Sequence, residues 1–136
     1  MAEADIPRLL AVKYARFVDD RQFERMGEIM SEDFTQQGPG FTSSSLAEFL
    51  ETLKVLDNYI ATFHLVGNQC GEWCNDIYRG ETWSVASHIH EQDGEQLKLD
   101  MGIRYQDVIE YIGGGFKYTS RDLHVVWTQD LPCHAP

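Results

Sequence analysis

The stretch QLKLDMGIRYQDVIEYIGGGFKYTSRDLHVVWT, residues 96–128, decides the fold. Apolar and polar residues alternate along most of it, which is typical of β-strands with one buried face. The three central glycines divide it into two predicted strands, Gln96–Ile112 and Phe116–Thr128, joined by a short turn. Gly102 lies inside the first strand and predicts a bulge or a sharp bend, a device that curls a sheet.

The same alternation begins further upstream, at about Ala61, where the spacing of apolar residues changes from near four to two. It predicts three more strands, over Thr62–Gln69, Glu72–Tyr78 and Glu81–Glu91. Turn-forming residues lie at 75–76 and 92–94. Long strands joined by short turns indicate an antiparallel meander.

The first third of the chain predicts three helices. Asp5 can cap the first, Pro7 is tolerated in its first turn, and Asp20 is assigned as the N-cap of the second. After a turn at 36–40, Ser45 and Glu48 have the spacing of a capping box. The predicted buried stripes are Ile6, Leu9, Leu10, Tyr14 and Phe17, then Phe23, Met26, Ile29 and Met30, then Leu46, Phe49, Leu50 and Leu53. We therefore expect a single α+β domain over residues 1–136, with helices covering one face of a curved, mainly antiparallel sheet.

Composition limits the partners of this domain. With 136 residues, of which 43% are hydrophobic and 12% aromatic, the chain can bury a core without disulfides. Lys and Arg number 11 against 22 Asp and Glu, a net charge of −11. Binding nucleic acid or an anionic membrane needs a clustered positive surface, so we expect neither partner.

The sequence also favours a cytoplasmic location. No apolar run reaches the roughly 18 residues that a membrane-spanning helix needs. In MAEADIPRLL, acidic residues precede the short apolar stretch, which is the wrong order for a secretory signal. Of the three cysteines, Cys70 and Cys74 have no second Cys or His pair at finger spacing, so no zinc site is expected.

Three polar residues are candidates for catalysis. Tyr14 lies on the core stripe of the first helix, where its hydroxyl can project into a cavity or bond to a carbonyl. Asp19 lies at the end of that helix, where a carboxylate opposes the macrodipole and needs another partner. A carboxylate that holds one nitrogen of His64 would leave the other as a base near neutral pH. The alternative is that Asp19 and His64 merely satisfy each other.

Further candidates lie on the later strands. His88 and His90 share a strand face, but no carboxylate-rich partner strand accompanies them, so no metal is expected. Arg104 and Arg121 could pair with inward acids or anchor a substrate anion. The motifs of nucleotide-binding loops are absent, so we expect no nucleoside triphosphate or dinucleotide cofactor. Aromatic side chains could wall a pocket or pack in the core: Phe63, Trp83, Tyr105, Tyr118 and Trp127.

Five segments appear in a familiar order: Tyr14–Phe23, Ser31–Phe34, Phe63–Asn68, Arg104–Asp107 and Gly114–Arg121. Together they resemble the SnoaL-like branch of the nuclear-transport-factor-2-like superfamily, over about residues 6 to 128. The resemblance implies a cone-shaped α+β fold, commonly a homodimer or a higher homo-oligomer. It says less about the reaction, because this superfamily holds enzymes, ligand carriers and transport adaptors.

Within that branch, Tyr14, Asp19 and His64 are similar to the pattern of bile-acid 7α-dehydratases, scytalone dehydratases and hexachlorocyclohexane dehydrochlorinases. The resemblance implies a cofactor-independent lyase that removes water or halide from a small apolar or aromatic cyclic substrate. Asp19 would orient His64, His64 would abstract a proton, and Tyr14 would bond to a substrate oxygen or the departing group. The predicted substrate-binding residues are Trp83, His88, Tyr105 and Arg121.

Two alternatives remain open. The chain also resembles ketosteroid isomerases in its helix tyrosine, but the carboxylate base that those enzymes place before a proline is replaced here by Gly38, before Pro39. A double-bond isomerase would therefore have to use His64. The second alternative is a non-catalytic small-molecule carrier or dimeric interaction domain.

Overall fold

The computed structural model describes residues 5–136. Two α-helices, α1 and α2, two short 3₁₀ helices and six strands follow one another along the chain. Their bounds in order are α1 Ile6–Asp19, a 3₁₀ helix Phe23–Glu28, β1 Met30–Gly38, β2 Phe41–Ser43, α2 Leu46–Leu53, a 3₁₀ helix Lys54–Asn58, β3 Ala61–Cys74, β4 Ile77–Gln92, β5 Glu95–Ile112 and β6 Gly115–Pro132. None of the helices within the described residues is both long and apolar enough to cross a membrane.

The six strands form one curved, unclosed sheet in the order β2-β1-β6-β5-β4-β3. All neighbouring strands are antiparallel except β1 and β6, which are parallel. The predicted α+β class, with helices preceding a mainly antiparallel sheet in a cone-shaped fold, is confirmed.

A bulge lies at the place that Gly102 predicts, but its extra residue, Val126, belongs to the partner strand β6. The register between β5 and β6 shifts between Gly102 and Ile103. The ring of Trp127 lies directly over Gly102, so a Cβ atom there would meet the indole Nε1 at 2.2 Å. A side chain at this position would therefore displace Trp127, and the glycine is needed for this close approach.

The capping box at the start of α2 is also present. The Ser45 hydroxyl accepts from the amide of Glu48 at 3.1 Å, and the Glu48 carboxylate accepts from the amide of Ser44 at 2.6 Å. The Glu48 carboxylate thus accepts from Ser44, one residue before the N-cap, instead of from Ser45 itself. The amides of Ser44 and Glu48 are both satisfied by side chains. The apolar side of α2 then buries Phe49 against Phe34 of β1, with ring centroids 5.3 Å apart.

Several boundaries differ from prediction. The segment over Glu72–Tyr78 is no single strand, because the turn at residues 75–76, with Asn75 at φ 56°, ends β3 and starts β4. Strand β1 was not predicted; Met30 lies in it rather than in a helix, because Phe34 and Gln36 alternate inward with exposed neighbours.

Of the two predicted helix caps, Asp20 is wrong, and Asp5 occupies the predicted N-cap position without a side-chain bond. Asp20 does not cap the second helix, which is a 3₁₀ helix preceded by Gln22; it ends α1 and pairs with Arg16 at 3.2 Å. Asp5 precedes α1 but its side chain makes no capping bond.

Candidate active site

The end of α1 and the start of β3 bring Asp19 and His64 together. The imidazole Nδ1 donates to Asp19 Oδ1 at 2.7 Å, and the backbone amide of His64 donates to Oδ2 at 2.7 Å. The side chains of His64 and Asp19 are 7% and 20% exposed. A carboxylate only accepts, so Nδ1 carries a proton, and in the neutral imidazole Nε2 then keeps its lone pair.

Two residues that sequence reasoning missed support the carboxylate. Thr62 Oγ1 donates to Asp19 Oδ1 at 3.0 Å and accepts from Arg21 Nη1 at 2.8 Å. Arg21 also donates to the carbonyls of Val18 and Leu56, which ties together α1 and the second 3₁₀ helix. Thr62 shares the strand face of His64, two residues away, so alternation was a signal that could have found it.

The hydrogen bonds keep Asp19 ionised. Burial alone would raise the pKa of its carboxyl, but the bonds from His64 and Thr62 outweigh burial and lower that pKa below its usual value. The carboxylate therefore stays negative at neutral pH and favours the tautomer of His64 that has a free Nε2.

Tyr14 lies one turn and a half before Asp19 on α1 and reaches the same place. Its ring centroid is 6.1 Å from that of His64, edge to face at 86°, and its residue is 8% exposed. Burial raises the pKa of the phenol, and the positive charge of Arg121 opposes part of that rise. Tyr14 therefore stays protonated at neutral pH and can donate a hydrogen bond.

A cavity of about 260 Å³ joins these side chains. Tyr14, His64 and His88 supply its polar groups, together with Tyr105, and the rest of the wall is mainly apolar. The β1–β2 hairpin and the segment from α2 through the second 3₁₀ helix close it, through residues that the sequence did not predict as lining: Pro39, Phe41, Thr52, Leu53, Val55 and Leu56. A mostly apolar pocket with a few convergent polar groups is typical of a small-molecule site.

His88 lies beside His64 on the neighbouring strand β4, where it is paired with Thr62. Its ring centroid is 6.4 Å from that of His64 and 5.1 Å from that of Tyr59. Burial lowers the pKa of His88, and the hydrogen bond of its Nδ1 to the Leu99 carbonyl at 3.2 Å only partly offsets this. His88 is thus neutral at pH 7, with its proton on Nδ1 and with Nε2 able to accept a hydrogen bond.

Two of the predicted substrate-binding residues do not line this cavity. Arg121 is fully buried behind Tyr14, where Asp107 neutralises it, so the pairing alternative holds and no charge is left for a substrate anion. Trp83 lies on the opposite face of the sheet, 40% exposed, with its indole N–H bonded to Glu81. Side chains alternate along β4, and because Thr82 and Ser84 point inward, Trp83 between them points outward.

The aromatic residues divide in the same way. Tyr105 lines the cavity, and Tyr118 is buried in the core. Phe63 and Trp127 are exposed on the outer face. Among residues 5–136, no group of three or more His, Cys, Asp or Glu side chains is arranged to hold a metal ion.

The arrangement can therefore perform proton chemistry. It combines a carboxylate-held imidazole, a protonated phenol beside it, a neutral second imidazole and a mainly apolar wall. A base of this kind acts by removing a proton from a bound molecule.

Known structures share this fold. A scytalone-dehydratase-like protein from Novosphingobium aromaticivorans superposes with a TM-score of 0.82 at 19% identity, over 98% of this chain and 89% of its own. A type 2 hexachlorocyclohexane dehydrochlorinase superposes with a TM-score of 0.84 at 18% identity, over 98% of this chain and 93% of its own. The type 3 dehydrochlorinase from Novosphingobium barchaimii superposes with a TM-score of 0.83 at 16% identity, over 98% of this chain and 94% of its own. At these identities the likeness concerns the fold alone.

Sequence comparison identifies the family. No curated protein sequence matches the chain significantly. Residues 2–122, however, match the SnoaL-like domain, which is nearly the whole chain. The protein therefore belongs to the SnoaL-like family, within the nuclear-transport-factor-2-like superfamily.

Proposed function

We propose that the protein is a cofactor-independent lyase that removes water or halide from a small cyclic substrate. The observation that carries the proposal is the Asp19–His64 hydrogen bond of 2.7 Å at the wall of a mostly apolar cavity. Elimination needs a base, a donor to a carbonyl or leaving oxygen, and exclusion of water, but no redox centre. The site contains side chains suited to each of these needs.

The proposed step begins with proton transfer to His64. Nε2 takes a proton from a substrate carbon, the electrons of that C–H bond form a carbon–carbon double bond, and the leaving group departs with its own bonding electrons. Departing hydroxide receives the proton from the imidazolium and leaves as water; with a halide, the proton passes to solvent. Asp19 stabilises the imidazolium, and Tyr14 donates to the oxygen on which negative charge develops.

The walls indicate the class of substrate. Arg121, which packs behind the cavity wall, is neutralised by Asp107, and the chain carries a net charge of −11. An anionic substrate would therefore be repelled, and a neutral cyclic compound fits a volume of about 260 Å³. Nε2 of His88 is an acceptor, so we propose that it holds a substrate hydroxyl that does not leave, with Tyr105 as part of the wall.

A mass-shift screen tests this function. Purified protein is incubated with hydroxylated and halogenated cyclic ketones, and products are read by mass spectrometry. We expect a product that is lighter by one water or one hydrogen halide, formed by the wild type and lost in His64→Ala. His134→Ala, an exposed histidine near the C-terminus, is the matched control. Turnover that survives unchanged in His64→Ala and Asp19→Asn would contradict the proposal.

An isomerase is the second candidate. Pro39 lines the cavity, so a carboxylate on the residue before it could act there. That residue is Gly38, which has no side chain. Such an enzyme would have to use His64 with Tyr14 as the donor. A product with the same mass as the substrate would identify it. A carrier would bind cyclic compounds without changing them.

We further propose that two copies associate through the outer apolar patch, defined as Phe63, Leu65, Trp83, Val126 and Trp127. These side chains are 40–66% exposed, and the charges beside them, Glu81 and Arg104, neutralise each other. Contiguous apolar surface of this kind marks an interface, and a second copy meets least charge repulsion here. Light scattering should give a dimer for the wild type and a monomer for Leu65→Glu; a monomeric wild type would contradict the proposal.

A further inference from the structure

A buried ion pair lies behind Tyr14, outside the cavity. Arg121 donates to Asp107 through Nε at 2.6 Å and through Nη2 at 3.0 Å. The two side chains are 1% and 2% exposed. Burying two charges costs desolvation that often matches or exceeds their attraction, so apolar residues of similar volume would stabilise the fold as well or better. Stability alone is therefore a poor explanation for this pair.

The guanidinium of Arg121 is packed among tyrosine rings. Its Cζ lies 4.0 Å from the ring centroid of Tyr105, 4.5 Å from that of Tyr14 and 4.7 Å from that of Tyr118. Tyr14 and Tyr105 line the cavity, whereas Arg121 does not. Any effect of Arg121 on a bound molecule is therefore transmitted through these rings.

Hydrogen bonds account for only part of how the guanidinium is held. Asp107 accepts from two of its nitrogens, but buried Nη1 has no acceptor anywhere in the described residues 5–136. The ring contacts supply the remaining restraint. A guanidinium on the face of a phenol attracts the ring electrostatically, most strongly where water is excluded.

We propose that the Asp107–Arg121 pair is a positioning element that holds the Tyr14 ring edge-on to His64 and strengthens its hydroxyl as a hydrogen-bond donor. The inference rests on the proposed function, because there Tyr14 donates to the reacting molecule. Arg121 is a positioning residue and not a catalytic one, since Tyr14 stands between it and the cavity. Asp107 fixes the guanidinium and prevents an uncompensated buried charge.

The charges that face Tyr14 explain how the pair would strengthen its hydroxyl as a hydrogen-bond donor. They are Arg121 and Asp107 from β6 and β5, Asp19 from its own helix, and the imidazole of His64 from β3. Burial raises the pKa of Tyr14, Arg121 lowers it, and the two carboxylates raise it. Because Arg121 opposes all the other effects, its loss would make the phenol a weaker acid and a weaker donor.

The test is a titration of the residue at position 14. Trifluorotyrosine placed there as the only fluorinated residue ionises at lower pH than tyrosine, so ¹⁹F spectroscopy can follow it while the protein stays folded. The variants are Arg121→Met combined with Asp107→Asn, which removes both charges at similar volume, and Arg104→Met as the control. Arg104 also pairs with a carboxylate and stacks on an aromatic ring, but on the outer face.

We expect the ionisation midpoint to rise in the double variant, because the lowering by Arg121 is larger than the raising by Asp107, and to stay unchanged in Arg104→Met. A folded double variant with the parent midpoint would overturn the proposal. Should the double variant fail to fold, Arg121→Lys decides, because lysine keeps a charge but cannot stack on the rings. A midpoint raised by a smaller amount supports the proposal, and an unchanged one overturns it.

This readout is independent of turnover. If His64→Ala retains the full rate of elimination, the proposed function fails whatever the midpoint does. If His64→Ala abolishes elimination while the midpoint stays unmoved in the folded double variant, the positioning role fails and the proposed function stands.

Discussion

The inner side of the sheet contains two buried pairs of ionisable side chains, whereas the outer face leaves apolar side chains open to solvent. On the inner side, Asp19 holds His64, which is 7% exposed, and Asp107 holds Arg121, which is 1% exposed. On the outer side, Phe63 is 66% exposed. Burying a polar or charged group costs more free energy than exposing an apolar one. The inner pairs are therefore the ones that need a functional explanation.

Two arginine clusters make the contrast concrete. Arg121 stacks on three tyrosines and pairs with Asp107 in the core, and Arg104 stacks on Trp83 and pairs with Glu81 at the surface. Each cluster combines an arginine, an aromatic ring and a carboxylate, one behind the cavity wall and the other beside the proposed interface. Solvent exposure, rather than the kind of contact, separates the two roles.

The largest expected effect concerns the carboxylate of the inner pair. Asp19→Asn removes the charge that stabilises the imidazolium and allows the wrong tautomer, so kcat for elimination should fall by about 10²–10⁴-fold. Asp20→Asn is the matched control, because the neighbouring carboxylate is exposed and pairs only with Arg16. Equal kcat values for Asp19→Asn and Asp20→Asn would show that the buried carboxylate contributes no more to elimination than the exposed one.

The two arginine clusters should differ in stability. Arg121→Met leaves Asp107 buried without a partner and should lower the free energy of unfolding by about 3–5 kcal/mol. Arg104→Met breaks a pair in which the arginine side chain is 47% exposed, and should cost about 0–1 kcal/mol. Urea unfolding of both variants measures the difference, and similar losses would show that burial does not separate the clusters.

A smaller effect is expected at Thr62. Thr62→Val removes the hydroxyl that donates to Asp19 and accepts from Arg21, while keeping the shape of the side chain. The loss of this hydrogen bond should lower kcat by about tenfold, which corresponds to roughly 1.4 kcal/mol. Initial rates at saturating substrate measure it. A variant as fast as the wild type would mean that the backbone amide and the imidazole of His64 hold Asp19 well enough alone.

The smallest effect is a pH dependence of stability from His88. Its pKa is lowered in the folded protein, so the unfolded chain binds the proton first as the pH falls. Stability is then fully present above the unfolded value of about 6.5 and falls below it, by at most about 1.4 kcal/mol per pH unit. Urea unfolding at pH 7.5 and 5.5 should show a smaller loss for His88→Phe than for the wild type.

The sequence predicted the sheet better than the segment before it. The long alternating stretches predicted the faces of β4 and β5, and the glycine at position 102 marked the place of a bulge whose extra residue lies opposite it in β6. Strand β1 escaped prediction, because only Phe34 and Gln36 show its inward alternation and the glycines and proline after it indicate a loop. Its parallel pairing with β6 depends on contacts far apart in the sequence, which local patterns do not encode.

The candidate site was predictable in part. Asp19 and His64 were paired from a resemblance and a helix-end carboxylate that needed a partner, and the structure brings them together. Alternation along β4 places Trp83 on the face opposite His88, so the sequence already contained the signal against it. The burial of Arg121 depends on its pairing with Asp107, which local patterns do not encode. The cytoplasmic location stays a prediction.

The most direct measurement of the central claim is kcat/KM for His64→Ala on the first compound that the wild type dehydrates or dehydrohalogenates, with and without added imidazole. We predict a loss of about 10²–10⁴-fold, partly restored by imidazole entering the space of the missing ring, with no imidazole effect on the wild type. A kcat/KM equal to that of the wild type, with no response to imidazole, would contradict the account.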